Sequence, residues 1–408
     1  MKHTLPLTFL MAASPLLFAA EPADTNYDES RTPTYALPDL NVTNREHWES
    51  TRRAEVLRLL EDHVYGRTPG NAVQIEVAIL EGPTEVFDNT AIRRQARLTL
   101  SPKEHPDRRI SFDVLVYSPK TLKGKSPAFI GLNFSGNQCV HSDPGILRSP
   151  AGGKASGAYA SRWQVPMLLK RGYGLVTAHR DDIDPDNYRH DFNDGPHPLF
   201  YAPGQTKPKE KEWGSIGGWA WALSNTREWL EGDELIDASR LAVIGHSRLG
   251  KTALWAGAQD QKFKLVISNN SGCGGAALYR RCYGERIHHM LKPVGYWFCG
   301  NHARYALREN ELPVDQHMLL AAIAPRALYV ASAREDRWAD PKGEFLALKN
   351  AEPAYALYGF DGLTASQWPS PNEPATGGRL GYHLRAGRHD VTAYDWGRYL
   401  DFADRHLK

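Results

Sequence analysis

The sequence predicts an α/β fold: a mostly parallel central sheet flanked by helices, a three-layer αβα sandwich. Two observations carry this. From residue 127 onward, short apolar runs alternate with helical stretches, the grammar of βα units. Ahead of them, residues 73–118 read as antiparallel strands, so the sheet opens as a meander and continues in parallel.

The elements follow in order. Residues 21–45 are polar and proline-rich and read as an extended arm. Between Trp48 and Tyr65, Ala54, Leu57, Leu59, Leu60 and Val64 recur at helical spacing. The runs Val73–Ile79 and Ile110–Val116 alternate as half-buried strands do. Ala128–Phe134 is an apolar strand that ends in Ser135-Gly136-Asn137, Trp163–Arg171 is helical, and Gly174–Ala178 is a strand. Ile216–Leu230 is a helix rich in Trp and Ala, and Leu241–Ile244, Leu265–Ser268 and Ala327–Ser332 are strands. The strand-like Tyr382-His383-Leu384 leads to Gly387-Arg388-His389, and Trp396–Leu407 closes the chain as a helix.

The 408 residues are 41% hydrophobic and 24% charged, enough to build a large core. A net charge of +2 gives no electrostatic case for nucleic acid. After the N-terminus no apolar run approaches the roughly 20 residues of a membrane span. Met1-Lys2-His3, an apolar Leu5–Phe18 and Ala19-Ala20 read as a signal peptide over residues 1–20. Residues 21–408 are then a single secreted or periplasmic catalytic domain with an N-terminal arm. Export permits disulfides among Cys139, Cys273, Cys282 and Cys299; three pairings or free thiols all fit. No C-x-x-C spacing supports a zinc site, and neither metal nor cofactor is expected. The acidic run Asp181–Asp186 reads as a solvated loop, with a cation site as the alternative.

The chemistry centres on Gly245-His246-Ser247-Arg248-Leu249-Gly250, between a strand and a helix. A serine in so tight a strand–turn–helix corner is held in strained geometry with its hydroxyl exposed. The second glycine stands one residue later than in the common G-x-S-x-G pattern. A serine hydroxyl needs a base, and the base an orienting acid, in the chain order Ser, Asp or Glu, His. Ser247, then Glu335 or Asp336 at a strand end, then His389 supply that order. Between the two acids the shorter Asp336 is favoured; His383 is a lower-ranked rival for the base. The oxyanion donors expected are the Arg248 amide and the Ser135-Gly136-Asn137 loop, with the Arg248 guanidinium beside them or on a surface acid. Lys251, one helical turn after Ser247, faces either the pocket or solvent.

The run Gly245–Lys251 resembles the glucuronoyl esterases, carbohydrate esterase family 15, in its Ser-Arg-x-Gly-Lys order and late glycine. Asn269–Ala276, Asp336–Pro341 and His389–Thr392 with Asp395-Trp396 resemble the same family. The resemblance implies an α/β-hydrolase fold. It also implies cleavage of esters between 4-O-methyl-glucuronic acid of glucuronoxylan and lignin alcohols; separately, a monomer is expected. It assigns Ser247 as nucleophile, His389 as base and Arg248 as oxyanion partner, and it places Lys251, Glu285 and Trp338 on the uronate. A salt bridge to Arg281 or Arg286 is the plain alternative for Glu285. Where fungal members carry the catalytic acid, this chain has Asn270, so the acid must come from the Glu335/Asp336 loop, as in bacterial members. His246 stands where fungal members have a disulfide-bonded cysteine. Two rival expectations stay open: another carbohydrate carboxylesterase such as an acetyl xylan esterase, and a catalytically silent carbohydrate-binding relative.

Overall fold

A computed structural model describes residues 22–70, 73–120, 124–187, 189 and 191–408, so the expected signal peptide lies outside the described residues. Ten strands form one sheet in the order β1-β2-β3-β5-β4-β6-β7-β8-β10-β9. They are β1 Val73–Val86, β2 Ala91–Pro102, β3 Ile110–Pro119, β4 Ser126–Asn133, β5 Gly174–His179, β6 Ile236–His246, β7 Leu265–Asn269, β8 Ala327–Ala333, β9 Ala375–Gly377 and β10 Leu380–Arg385. β1, β2 and β3 pair antiparallel as expected, and β5 joins β3 antiparallel. From β5 through β4, β6, β7 and β8 to β10 every pair is parallel. β9 adds a short antiparallel edge.

The central strands read as unbroken apolar runs because both faces are covered. Alternate residues enter opposite cores. Leu241 and Val243 of β6, Val266 of β7 and Leu328 and Val330 of β8 pack with the helices Ser215–Leu230, Arg248–Gln259, Gln316–Ala321 and Pro341–Ala356. Ala242, Ile244, Leu265, Ile267, Ala327 and Tyr329 pack instead with Val165–Lys170 and the last helix, Ala393–Leu407. This is the three-layer αβα arrangement.

Two expected helices differ in detail. The run after residue 45 is continuous to Tyr65, but Trp48–Arg52 and Glu61–Tyr65 are wound as π turns. The stretch Trp163–Arg171 is broken at Gln164 (φ 43°), because Pro166 has no N–H to continue a preceding helix.

β5 and β6 lie on opposite sides of β4. Such a switch point opens a crevice at the carboxyl ends of the strands. The loops that follow β4, β6, β7, β8 and β10 carry Ser135, Ser247, Asn270, Asp336 and His389.

Candidate active site

Ser247 joins β6 to the helix Arg248–Gln259 with φ 57° and ψ −130°, a strained conformation for a residue with a side chain. Its N–H donates to Asn269 O of β7 at 2.9 Å, which ties the corner to the sheet. Only glycine fits at 245, since a β-carbon there would lie 1.8 Å from Leu249 O. The late Gly250 has a packing reason too: a β-carbon would meet Ser271 Cβ at 3.0 Å.

The loops after β8 and β10 are stitched together. Arg334 N–H donates to Arg385 O at 2.9 Å, and Glu335 N–H to Gly387 O at 3.0 Å. That pairing sets the buried Asp336 against His389, with Oδ2 2.5 Å from Nδ1. A carboxylate at Nδ1 takes the Nδ1 proton as its hydrogen bond and leaves the Nε2 lone pair able to accept a proton. Glu335 points the other way, exposed, 3.7 Å from the exposed Arg388. Its side chain therefore does not serve His389. The His389 ring lies on His246, with centroids 4.4 Å apart. His246 Nδ1 is 2.6 Å from Asn269 Oδ1, whose amide nitrogen donates to Tyr399 Oη at 2.7 Å. Because Asn269 Oδ1 can only accept, His246 carries its proton on Nδ1. Burial, then the neighbouring His389 and Arg162, hold His246 well below the usual histidine range, so it stays neutral.

Arg248 donates from Nη1 to Asp186 Oδ2 at 2.5 Å, and its guanidinium lies 4.7 Å from the Trp297 ring centroid. Asp186 also takes hydrogen bonds from Tyr296 Oη (2.5 Å) and Trp297 Nε1 (2.8 Å), and pairs with Arg180. Burial pushes this carboxyl up, but Arg248, Arg180 and the two aromatic donors outweigh it and hold it at about 2. The acidic run is thus no solvated loop at this point. Asp184 is buried, as is the side chain of Asp186, which serves as the anchor of Arg248, a role the residue pattern does not reveal.

Lys251 is buried, donates to Ser271 O at 2.6 Å and lies 3.5 Å from Glu285 Oε2. Arg281 and Arg286, the alternative partners of Glu285, go to Asp340 and Glu309. Glu285 N–H donates to Trp338 O at 2.8 Å, so the loops bearing these two side chains are joined. The Trp338 ring stacks on His289 at 5.2 Å. A further residue not found from the sequence holds this corner. The fully buried Glu344 accepts from Ser271 N (2.8 Å), Gly272 N (2.9 Å) and Ser332 Oγ (2.5 Å), which fixes the carbonyl that Lys251 uses.

Several other expectations meet the structure here. The amides of Gly136 and Asn137 donate to Asn133 Oδ1 and Ser149 Oγ, both at 2.8 Å, so they are not free oxyanion donors. The Arg248 amide, as the first helical N–H, has no intrahelical acceptor. His383 is fully buried between Asp395 (2.8 Å) and Tyr329 (3.1 Å), which makes it a core residue. Asn270 is buried at φ 47°, and neither polar atom of its side chain has a partner among the described residues. All four cysteines are free thiols. No helix among the described residues is long and apolar enough to cross a membrane.

Known proteins share this fold. Residues 164–359 match the family model for the fungal glucuronyl esterase. A carbohydrate esterase, MZ0003, from an unidentified prokaryote is 41% identical over 95% of this chain and 93% of its own length. A solved glucuronoyl esterase from Solibacter usitatus is 42% identical with a TM-score of 0.86, covering 92% of this chain and 99% of that one. A CE15 esterase from a marine bacterial metagenome, described as promiscuous, is 40% identical with a TM-score of 0.84, covering 94% and 100%. The chain belongs to the glucuronoyl esterases, carbohydrate esterase family 15, and is a carboxylic ester hydrolase of α/β-hydrolase fold.

Proposed function

We propose that this esterase cleaves the ester between 4-O-methyl-glucuronic acid of glucuronoxylan and an alcohol of lignin, with Ser247 as nucleophile. Ser247 Oγ attacks the ester carbonyl while His389 Nε2 takes its proton, and Asp336 stabilises the resulting imidazolium. The Arg248 amide and guanidinium hold the oxyanion. His389 then protonates the departing alcohol, leaving glucuronate esterified to Ser247. Water, deprotonated by His389, releases the acid and restores the serine. The chain acts as a monomer outside the cytoplasm after removal of residues 1–20, with no metal or cofactor in the scheme.

The observation that carries the substrate class is the pair Lys251–Glu285 beside Trp338, one helical turn beyond Ser247. An ammonium and a carboxylate can bracket neighbouring sugar hydroxyls, and an indole N–H can donate to a sugar oxygen. Relatives in Podospora anserina and Hypocrea jecorina are named 4-O-methyl-glucuronoyl methylesterases. The test is hydrolysis of a benzyl ester of glucuronate by the mature chain. Activity that survives Ser247→Ala, or no activity on that ester, overturns the reading.

A second reading, a carboxylesterase of broad scope, is favoured by the likeness to the promiscuous marine esterase. It expects faster turnover of acetyl than of glucuronate esters, and indifference to Lys251→Ala.

A further inference from the structure

The N-terminal arm runs behind the side chains assigned above to the sugar. Asn26 O accepts the N–H of Gly284 at 2.9 Å, one residue from Glu285. Gly284 has φ 62°, and a β-carbon there would lie 2.5 Å from Arg337 O and Trp338 O, so the two loops touch backbone to backbone. Tyr27 O accepts from Tyr283 Oη at 3.2 Å and from the Arg337 guanidinium, which also lies 4.5 Å over the Tyr27 ring. Glu29 accepts from Arg281 (2.7 Å) and Lys342 (2.8 Å). Arg281 is buried and its other arm holds Asp340 at 2.8 Å, two residues beyond Trp338. Asp24 meets His288 (2.8 Å) and His289 (3.2 Å), the latter being the ring stacked on Trp338.

Each of these partners stands within a few residues of Glu285 or Trp338, and both loops lack a strand or long helix of their own at those positions. Loops without regular backbone pairing owe their shape to such side-chain and carbonyl anchors. The Ser247 corner, by contrast, is held by β6, β7 and its own helix. The arm therefore bears on the Glu285 and Trp338 loops, whereas Ser247 is held by the sheet and Asp336 is set by the Arg334 and Glu335 amides that donate to Arg385 and Gly387.

We infer that residues 24–29 of the arm are positioning residues for substrate selection: by bracing the Glu285 and Trp338 loops they set the preference for a glucuronate ester over a simple acetyl ester. The inference rests on the proposed sugar-binding roles of those two side chains. Its chemistry is a preorganised pair of sugar contacts, whose cost of ordering is met by the arm before substrate arrives.

The test uses the mature chain carrying Glu29→Gln, and a second form carrying Tyr27→Ala with Glu29→Gln. Amide hydrogen exchange reads the brace directly, and hydrolysis of a glucuronate ester and of p-nitrophenyl acetate reads its consequence. Exchange is expected to rise in segments 280–290 and 335–342 while the 241–252 segment is unchanged. With it kcat/KM on the glucuronate ester falls about tenfold, chiefly through KM, as when a charge-assisted substrate contact is misplaced, and acetate turnover stays within about twofold. Unchanged exchange in the two loops overturns the inference. So does an equal fall on both substrates, or raised exchange without loss of the glucuronate preference. A parent enzyme that is active on acetate but inert on glucuronate sinks the proposed function instead, and the specificity role of the arm goes with it, while the exchange result still reports whether the brace exists.

Discussion

The guanidinium of Arg248 is held at 2.5 Å by Asp186, a carboxylate 62 residues earlier in the chain, and not by any neighbour on its own helix. An arginine that stabilises an oxyanion works only if it is in place before charge develops, because reorganisation at that moment costs rate. Under the proposed mechanism Asp186 bears on catalysis without touching substrate. Asp186→Asn keeps hydrogen-bonding shape for Tyr296 and Trp297 but leaves Arg248 without its anion and Arg180 with Asp181 alone. The expected outcome is a fall in kcat of roughly ten- to a hundredfold with KM little changed, and a loss of stability of about 3 kcal/mol from the broken buried pair. Steady-state kinetics and urea unfolding check both; an unchanged kcat means the guanidinium has no part in the rate.

This anchor also marks where the sequence stops being readable. The strands β4 to β8 were legible because burial on both faces leaves continuous apolar runs. The placement of Ser247, Asp336 and His389 after successive strand ends is legible because chain order constrains it. Asp186 was not, since an acidic run reads as solvated until the arginines and aromatic donors that neutralise it are brought in by tertiary contacts. The arm was unreadable for the same reason: Tyr27 and Glu29 form no periodic pattern, and their partners lie some 250 residues away. The Gly136 and Asn137 amides differ from expectation because nothing in the sequence shows that Asn133 and Ser149 already occupy them.

The choice of acid separates cleanly by mutation. Asp336→Asn keeps the buried shape but lets the amide favour the wrong imidazole tautomer and removes the charge that steadies the imidazolium. A loss in kcat of about 10³–10⁴ is expected, as in other serine hydrolases of this design. Glu335→Gln, on an exposed side chain paired among the described residues only with Arg388, should stay within about twofold, the behaviour of a surface ion pair. Equal losses in the two variants would mean that the carboxylates act interchangeably.

His246 gives a test of how the base is held. Its neutral ring lies on His389 and is itself held through Asn269 and Tyr399. His246→Phe preserves a flat ring and should retain kcat within a few-fold. His246→Ala removes the surface on which His389 rests, and kcat should drop by about tenfold, the scale of losing an aromatic contact of roughly 1.4 kcal/mol. Comparable activity in the Phe and Ala forms would show that this tilted ring contact does not position the base.

Glu344 makes stability depend on pH in a direction opposite to most carboxylates. Burial first, opposed by hydrogen bonds from Ser332 and Gly272 and aided by the Asp336 charge, raises its pKa from the ordinary 4.5 to about 7. A group that binds its proton more tightly when folded favours folding fully while both states are protonated, below the unfolded pKa. As pH rises through the window from 4.5 to about 7, the unfolded chain ionises first and that stability is lost. Above the window both states are ionised and the loss is complete, amounting to a few kcal/mol by linkage. Glu344→Gln keeps an acceptor oxygen for the Ser271 and Gly272 amides but cannot titrate. Measured against this variant, which cancels every other titrating group, the parent chain should lose unfolding midpoint steadily from acid to neutral pH. Parallel curves for the two proteins across that range would show that Glu344 does not ionise there, and that the Ser271 corner is held with the same strength at either pH.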